Sequence, residues 1–451
     1  MKKIKFKQVF LFICIGIFAF LSCSKDEEAT VAPLGTATAN LAINLTNSSF
    51  TANWTRVYRA EKYLLDVSTS ASFSTFLPNY NALPVTGLTA VVSGLNQKTN
   101  YYYRVRAAKG TEISAYSNVI TAETISTGPE PTTPLKEKAT TFSVGVAVNS
   151  FNLTGLYDTT IRREFSSITA ENEMKMLNIF TSSGTYNWAE VDKLLAYATA
   201  NKLNVHGHAL IWHSSIPEWL KNYSGTDAAF ELEIQNYITA VVTHCKGKVK
   251  AWDVVNEAFN DGGGMRNTLF RQRMGADYVT KCFRWARAAD PNVLLFYNDY
   301  NTSYDINKQN AVYTLVDVLK TNNVIDGVGI QMHINYDAPT RAQLTVDTNR
   351  IVEKGLKVHY SEVDVRANSN DGNILTTLTP ERELAQKLKY KELVQVYNAI
   401  PALTKYAITM WGLKDDDSWL LSLYNRPEWP LLFDANFNIK KTHTGFLEGL
   451  D

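Results

Sequence analysis

The sequence predicts an α/β fold in which a (β/α)8 barrel follows a small all-β domain. Three observations support this. Residues 40–125 contain short alternating runs separated by Asn, Gly and Pro. A Pro/Thr-rich stretch follows at 126–138, and from residue 139 onward eight short apolar runs alternate with amphipathic helical stretches. Such alternation predicts parallel strands joined by crossover helices, and eight repeats suit a closed barrel.

The charge balance gives no reason to expect a polyanionic partner. The 451-residue chain has 45 Lys and Arg against 44 Asp and Glu, a net charge of +1. Proteins that bind nucleic acid usually carry a basic surplus, so we expect no nucleic-acid partner. Aromatic residues make up 12% of the chain, which suits stacking on sugar rings as well as core packing.

Residues 1–22 are predicted to be a signal peptide rather than part of the fold. Lysines near the start precede an apolar run over 9–21, which is short for a membrane span but right for a signal sequence. The run ends in Leu-Ser-Cys, which resembles a bacterial lipobox in which Cys23 is lipidated. We therefore expect a secreted lipoprotein, anchored in the outer membrane and exposed at the cell surface. Ordinary secretion with cleavage elsewhere is the alternative, and residues 23–39 read as a tether.

Residues 40–125 are predicted to be an immunoglobulin-like β-sandwich. About seven strands fit this length, and 101–108 is the clearest. Trp54, Leu95, Tyr101 and Tyr103, with Ser-Asn before the last strand, resemble a fibronectin type III domain. We expect a spacer, because a fold alone does not confer a site; carbohydrate binding is the alternative. The Pro/Thr-rich residues 126–138 read as a semi-rigid linker.

Residues 139–451 are predicted to form the (β/α)8 TIM barrel. The expected strands are 142–146, 167–169, 203–208, 249–255, 293–297, 327–330, 357–360 and 406–411. The expected helices are 191–200, 230–244, 276–288, 309–320, 340–354 and 379–398. An open doubly wound sheet is the alternative. It is disfavoured because no Gly-x-Gly-x-x-Gly follows the first strand and polar residues recur after nearly every strand.

The most informative stretch is Trp-Asp-Val-Val-Asn-Glu-Ala at 252–258. Its apolar, β-branched character predicts a strand buried on both faces, and it ends in Asn256 and Glu257. Catalytic residues of barrel enzymes lie at the C-terminal ends of strands, so Glu257 is a candidate proton donor. The alternative is that these two residues only cap the next helix.

Polar side chains also follow the other strands, and so many on one rim favour a functional site. Glu362, after the seventh predicted strand, faces Glu257 after the fourth across a closed barrel. Two opposed carboxylates are what glycosidic bond cleavage requires, one as acid and the other as nucleophile or base.

The barrel region resembles the glycoside hydrolase family 10 xylanases over essentially all of residues 139–451. The matching motifs, in order, are Glu-Asn-Glu-Met-Lys at 171–175, Gly-His-Ala-Leu-Ile-Trp-His at 207–213, the 252–258 stretch, Asn-Asp-Tyr-Asn at 298–301, Gly-Ile-Gln-Met-His at 329–333, Ser-Glu-Val-Asp at 361–364, and Trp-Gly at 411–412 with Ser-Trp at 418–419. Pro-Leu-Leu-Phe-Asp at 430–434 also fits.

The resemblance implies a monomeric, retaining endo-1,4-β-xylanase that cleaves xylan or xylo-oligosaccharides without a cofactor or metal. Glu257 would be the acid/base and Glu362 the nucleophile, kept ionised and oriented by His333 and Asp364. The positions matched to substrate binding are Glu171, Asn172, Lys175, His208, Trp212, Asn256, Tyr300, Gln331, Trp411 and Trp419.

Three positions depart from the family pattern. Ser361 and Val363 stand where Thr and Leu are common, and Ser215 stands where Gln is common. The last affects one expected sugar contact and not the chemistry.

Cys245 and Cys282 either pair or remain as two buried thiols, and no Cys/His cluster has zinc-site spacing.

Three other functions stay open at this point. One is a retaining barrel glycosidase that acts on cellulose or mannan. Another is a glycan-binding lipoprotein with an inactive barrel, which the intact Glu257 and Glu362 argue against. In the third, the sandwich is the functional part.

Overall fold

A computed structural model describes residues 32–125, 133–368 and 374–451. The predicted signal peptide, Cys23 and residues 126–132 of the predicted linker lie outside these ranges. Among the residues that the structure describes, no helix has both the length and the apolar character needed to cross a membrane.

The N-terminal β-domain consists of seven antiparallel strands. They are β1 (Ser49–Asn53), β2 (Lys62–Ser68), β3 (Leu83–Val85), β4 (Thr89–Ser93), β5 (Asn100–Lys109), β6 (Glu112–Ile113) and β7 (Ile120–Glu123). One sheet pairs β1 with β4; the other has the order β3-β2-β5-β6, with β7 also on β5. Alternate side chains of β5, such as Tyr101, Tyr103 and Val105, enter a shared apolar core that includes Trp54. The all-β prediction for this region therefore holds, while its fibronectin type III identity stays a prediction.

The segment before β1 belongs to this domain rather than to the predicted tether. Leu34, Ala37 and Ala39 are buried in the core of the β-domain. The backbone N–H of Leu34 donates to Glu112 Oε1 at 2.7 Å. The composition of residues 23–39 predicts a flexible tether, but the burial of these apolar side chains stabilises the last part of it against the β-domain.

The remaining strands, in chain order, are β8 (Ser143–Val148), β9 (Ser167–Ala170), β10 (Phe180–Ser182), β11 (Thr185–Tyr186), β12 (Asn204–Gly207), β13 (Ile211–Trp212), β14 (Ala251–Asn256), β15 (Leu294–Tyr300), β16 (Gly327–Asn335), β17 (Lys357–Arg366) and β18 (Lys405–Met410). The helices are α1 (Leu135–Lys138), α2 (Gly155–Glu164), α3 (Met176–Ile179), α4 (Ala189–Asn201), α5 (Glu218–Lys221), α6 (Asp227–His244), α7 (Leu269–Met274), α8 (Tyr278–Ala289), α9 (Ile306–Thr321), α10 (Arg341–Glu353), α11 (Pro380–Asn398), α12 (Leu420–Tyr424) and α13 (Lys441–Gly449). Short 3-10 turns lie at Ser150–Asn152, Ala402–Thr404 and Asp415–Asp417.

Eight parallel strands close into a barrel, as predicted. Their order is β8, β9, β12, β14, β15, β16, β17 and β18, and β18 pairs with β8 to close the ring. The short strand β13 pairs with the C-terminal end of β14 beyond β12. Each predicted barrel strand overlaps an observed one, and the six predicted helices are α4, α6, α8, α9, α10 and α11.

Three strands are longer than predicted at the end that carries the polar residues. Strand β15 continues to Tyr300, β16 to Asn335 and β17 to Arg366. The register shifts between Gln331 and His333 along β16. Such bulges keep the backbone paired while re-aiming side chains, so polar residues continue a strand that the apolar pattern alone would end.

The start of the barrel and the helix α2 also differ from prediction. The predicted linker runs to residue 138, but Leu135 of α1 is fully buried in the barrel core, with its N–H bonded to Glu164 Oε2 at 2.9 Å. No helix is predicted at α2 because most of its residues are polar.

Cys245 and Cys282 are free, buried thiols rather than a disulfide, and burial raises the pKa of Cys245 to about 12.

Helix α11 of the barrel contacts the β-domain directly. Leu384 packs into the apolar core of the β-domain. Lys387 Nζ lies 2.5 Å from Glu123 Oε2 at the end of β7 and 2.8 Å from Glu448 Oε1 on α13. The contact lies on the outer helical layer and not at the strand ends.

Candidate active site

A cleft of about 730 Å³ opens at the C-terminal ends of the barrel strands. Twelve of the predicted site residues line it: Glu171, Lys175, His208, Trp212, Asn256, Glu257, Tyr300, Gln331, His333, Glu362, Trp411 and Trp419. Asp364 lies behind this wall and is fully buried. Asn172 is exposed and lines a neighbouring surface depression instead.

Glu257 follows β14 directly and is held from three sides. Its backbone φ is 56°, and its N–H donates to Asn298 O at 2.9 Å. Trp212 Nε1 donates to Glu257 Oε2 at 3.0 Å, and Gln331 Nε2 donates to Oε1 at 3.2 Å. The half-buried carboxyl therefore has a fixed orientation at the cleft wall rather than a capping role at a helix start.

Glu362 lies within β17 and is 6% exposed. Its backbone φ is also 56°, at a point where the register between β17 and β18 shifts. Asn298 Nδ2 donates to Oε1 at 2.7 Å, and His333 Nε2 lies 3.1 Å from Oε2. Each carboxylate oxygen thus has a protein partner.

A chain of side-chain amides connects the two carboxylates. Asn298 Nδ2, which bonds Glu362, also donates to Asn256 Oδ1 at 3.1 Å. Gln331 Nε2, which bonds Glu257, donates to the same Asn256 oxygen at 3.0 Å. The two acids therefore share one cavity and one hydrogen-bond network.

His333 and Asp364 form the predicted link behind Glu362. His333 Nδ1 lies 2.7 Å from Asp364 Oδ2, and Trp419 Nε1 donates to the same oxygen at 2.9 Å. Burial alone lowers the pKa of His333, but the Asp364 and Glu362 carboxylates outweigh it and raise the pKa to about 10. Burial raises the pKa of Glu362, yet the hydrogen bond from His333 outweighs this and holds the pKa below its ordinary value. The arrangement favours an imidazolium beside an ionised Glu362.

The comparisons with known proteins agree with this geometry. Residues 135–448 match the model of glycosyl hydrolase family 10. The chain belongs to glycosyl hydrolase family 10. It is 40% identical to endo-1,4-beta-xylanase A of Cellvibrio japonicus over 64% of this chain and 51% of that protein. It is 35% identical to a beta-1,4-xylanase of Dictyoglomus thermophilum over 66% of this chain and 86% of that protein.

A solved structure matches the same region. Xylanase 10B from Thermotoga petrophila RKU-1, in complex with xylobiose, superposes with a TM-score of 0.66 and 32% identity, covering 72% of this chain and 98% of the other. The chain spans only about half the length of the Cellvibrio protein. The likeness therefore concerns the barrel.

The family 10 cleft has a cationic and aromatic side next to Glu257. Lys175 Nζ lies 4.8 Å from the centre of the Trp212 ring and donates to Asn172 Oδ1 at 3.2 Å. Burial lowers the pKa of Lys175, although Glu362 and Glu171 oppose this. A lysine held by an amide and flanked by carboxylates is suited to donate to sugar hydroxyls. The sugar-binding role of Asn172 itself stays a prediction.

His208 and Trp411 are two buried side chains that line the cleft. His208 Nδ1 lies 2.8 Å from Asp253 Oδ2, and the rings of His208 and Trp411 meet edge to face with centres 5.3 Å apart. Burial raises the pKa of Asp253, but the imidazoles of His206 and His208 outweigh it and the net shift is downward. Asp253 therefore fixes the ring of His208.

Tyr300 also lines the cleft and is fixed by two cations. Arg266 Nη2 donates to its hydroxyl at 2.5 Å, and Lys308 Nζ lies 3.2 Å from its ring centre. Lys308 is fully buried and pairs with Asp299 at 2.9 Å. Burial raises the pKa of Asp299 to about 6, against the opposing effect of Lys308.

Sequence reasoning missed several residues of the site. Asn298 was visible only as part of a motif, although this fully buried residue contacts Glu362 directly. The cleft is also lined by Asn301, Tyr304, Asn335, Arg366, Leu420 and Tyr424. The continued polar sequence after the predicted ends of β16 and β17 was the available signal for Asn335 and Arg366.

Proposed function

We propose that this family 10 chain is a retaining endo-1,4-β-xylanase. The observation that carries the proposal is the pair Glu257 and Glu362 in one cleft, joined by the amides of Asn256, Asn298 and Gln331. One carboxyl is buried beside an imidazolium and the other is half-exposed, as different roles require. The relatives named above are xylanases, and one was solved with xylobiose, which supports xylan as the substrate class.

The first half of the reaction forms a covalent intermediate. The ionised Glu362 attacks the anomeric carbon while Glu257 gives its proton to the leaving oxygen, so the glycosidic bond breaks as the ester bond forms. In this proposal Asn256 bonds the 2-hydroxyl of the attacked sugar, an interaction that strengthens at the oxocarbenium-like transition state.

The second half releases the sugar. Glu257, now a carboxylate, takes a proton from water, and the resulting hydroxide attacks the anomeric carbon and frees Glu362. His333 holds a positive charge beside the carboxylate that leaves. The product keeps the configuration of the substrate because two inversions occur in sequence.

The experiment compares the initial rates of hydrolysis of linear xylan, carboxymethyl cellulose and mannan by the full-length enzyme. We expect xylan to be preferred strongly and the first product, followed by NMR, to be the β-anomer. Glu362→Ala is the control for contaminating activity. A preference for cellulose or mannan would reject the substrate, and an α-anomer would reject the retaining mechanism.

We also propose that the enzyme is a monomeric surface lipoprotein anchored through Cys23, with the N-terminal β-domain as a fibronectin type III-like spacer. The Leu-Ser-Cys sequence after an apolar run supports the anchor. The contact between Leu384 and the β-domain core, away from the cleft, supports a spacer rather than a sugar-binding module. Cys23→Ala should abolish incorporation of labelled palmitate and surface exposure, whereas an unchanged membrane fraction would contradict the anchor.

A further inference from the structure

The interior of the barrel holds a cluster of metal-ligating side chains that the hydrolytic mechanism does not use. His206, Asp253 and His359 are each 1% exposed, and one nitrogen or oxygen atom of each lies within 4.8 Å of the others. They come from β12, β14 and β17, so they connect three strands through the middle of the barrel. Each precedes a cleft residue in or just after its own strand, namely His208, Glu257 and Glu362 respectively, which places the cluster deeper than the cleft.

His359 Nδ1 has no hydrogen-bond partner among the residues that the structure describes. His206 Nε2 and Asp253 Oδ1 pair with each other at 3.0 Å, and neither has a further polar partner among those residues. A buried polar atom is rarely left unpaired, because the loss of hydration costs about 1–3 kcal/mol. The unpaired nitrogen of His359 beside this His–Asp pair indicates a site for a ligand that all three atoms can share.

The other polar atom of each side chain is already held. His206 Nδ1 lies 3.0 Å from the Tyr406 hydroxyl, and His359 Nε2 lies 2.8 Å from Thr409 Oγ1. Asp253 Oδ2 is bonded to His208 at 2.8 Å. Imidazole and carboxylate ligands of metal ions usually have such a bond on the atom that does not face the ion, since it fixes the tautomer and the orientation.

We propose that His206, Asp253 and His359 bind a divalent transition-metal ion of the zinc class, as a structural cross-link beneath the catalytic cleft. Two imidazole nitrogens and one carboxylate oxygen are a ligand set that Zn²⁺ accepts. In a tetrahedral zinc site neighbouring ligand atoms are about 3–4 Å apart, so small side-chain rotations close the cluster around the ion. The ion stabilises the barrel and takes no part in hydrolysis.

The test uses the full chain without a polyhistidine tag. Protein produced with zinc in the medium is dialysed exhaustively and its metal content measured, and protein refolded with Co²⁺ is examined by visible spectroscopy. We expect close to one ion per chain, visible absorption bands of bound Co²⁺, and a melting temperature lowered by chelation during refolding. His359→Phe and His206→Phe should lose the ion, and Thr409→Val should weaken its affinity about 10–100-fold by releasing the His359 ring.

The matched control is His443→Phe. His443 is also a fully buried imidazole, with Nε2 3.1 Å from Glu164 Oε2, but it lies outside the cluster. This variant should keep the ion. If wild-type protein neither retains zinc nor shows cobalt bands after refolding, the proposal is wrong whether or not the variants fold. Binding lost in His333→Gln but kept in His359→Phe would place the ion in the cleft and equally overturn it.

Discussion

Glu257 and Glu362 share one backbone conformation, each with a φ of 56°. This is the left-handed region, which residues other than Gly, Asn and Asp seldom adopt. The strand register shifts between Asp253 and Val255 of β14, just before Glu257, and between Tyr360 and Val363 of β17, around Glu362. Both glutamates line the cleft, so the two side chains on which the chemistry depends are held at a cost in backbone conformational energy.

This shared strain predicts an unusual order of stability among variants. At both positions the Gly variant should be more stable than the Ala variant by about 1 kcal/mol, because both lose the carboxylate and only Ala retains the penalty of a left-handed φ. Denaturant unfolding of the four variants measures the difference in the free energy of unfolding between Gly and Ala at each position. Ser361, beside Glu362 in the same strand without a positive φ, is the control, and there Ala should be more stable than Gly. Ala variants more stable than Gly at 257 and 362 would show that the backbone relaxes without cost.

The barrel could be predicted from sequence because its strands are apolar runs with polar residues at one end. Glu257 and Glu362 followed from the same reasoning, since strands four and seven of a closed barrel lie opposite each other. The left-handed φ values could not be predicted, because they result from register shifts that depend on pairing with β15 and β18.

Asn298 and His359 show the other limit of sequence reasoning. Each is a buried polar residue of a barrel strand, and nothing in the local pattern shows which partner it meets. Asn298 bonds Glu362, 64 residues away, and His359 lies beside His206 and Asp253, on two other strands. Such contacts become visible only when the barrel is closed.

Removal of the two acids should have different consequences on activated substrates. Glu257→Ala should lose most activity on xylan yet retain formation of the glycosyl intermediate on aryl xylobiosides, whose leaving groups need no proton. Glu362→Ala should be inactive on both, because no nucleophile remains. Pre-steady-state release of the phenol measures the first step. Equal loss in the two variants on the aryl substrate would contradict the assignment of roles.

His333→Gln should move the acidic limb of the pH–activity profile to higher pH. The active form of Glu362 is the carboxylate, whose pKa is held below its ordinary value by the bond from His333. A neutral amide in place of the imidazolium raises the pKa of Glu362, so activity is lost at a pH where the wild type still works. Profiles of kcat/KM between pH 3 and 8 for both proteins measure the position of the acidic limb. An acidic limb at the same pH in both would contradict the role given to His333.

The same substitution should change how stability depends on pH. The pKa of His333 rises from 6.5 to about 10 on folding, so its contribution is fully present below about 6.5 and is lost as the pH approaches about 10. Glu362 has a folded pKa below 4.5, so its contribution is present above 4.5 and lost as the pH falls. The Tm advantage of wild type over His333→Gln should therefore be greatest at about pH 5–6 and shrink toward pH 10. An advantage that grows with alkaline pH would contradict the charged imidazole.

Gly329→Ala should disable the enzyme without contact between the new methyl group and the substrate. A Cβ at 329 would lie 2.2 Å from Asn298 Oδ1 and 3.2 Å from Ser361 Oγ, where no carbon fits. Asn298 must then move, and its bonds to Glu362 and Asn256 are lost together. A catalytic group misplaced by this much typically lowers the rate about 100-fold, and we expect a loss of that size in kcat/KM.

Gly87→Ala is the control, since its Cβ would meet only Thr89 backbone atoms at 3.9 Å. Because Asn298→Ala removes the obstructing side chain, Gly329→Ala in that background should have little further effect; a full second loss would mean that Gly329 acts through another residue.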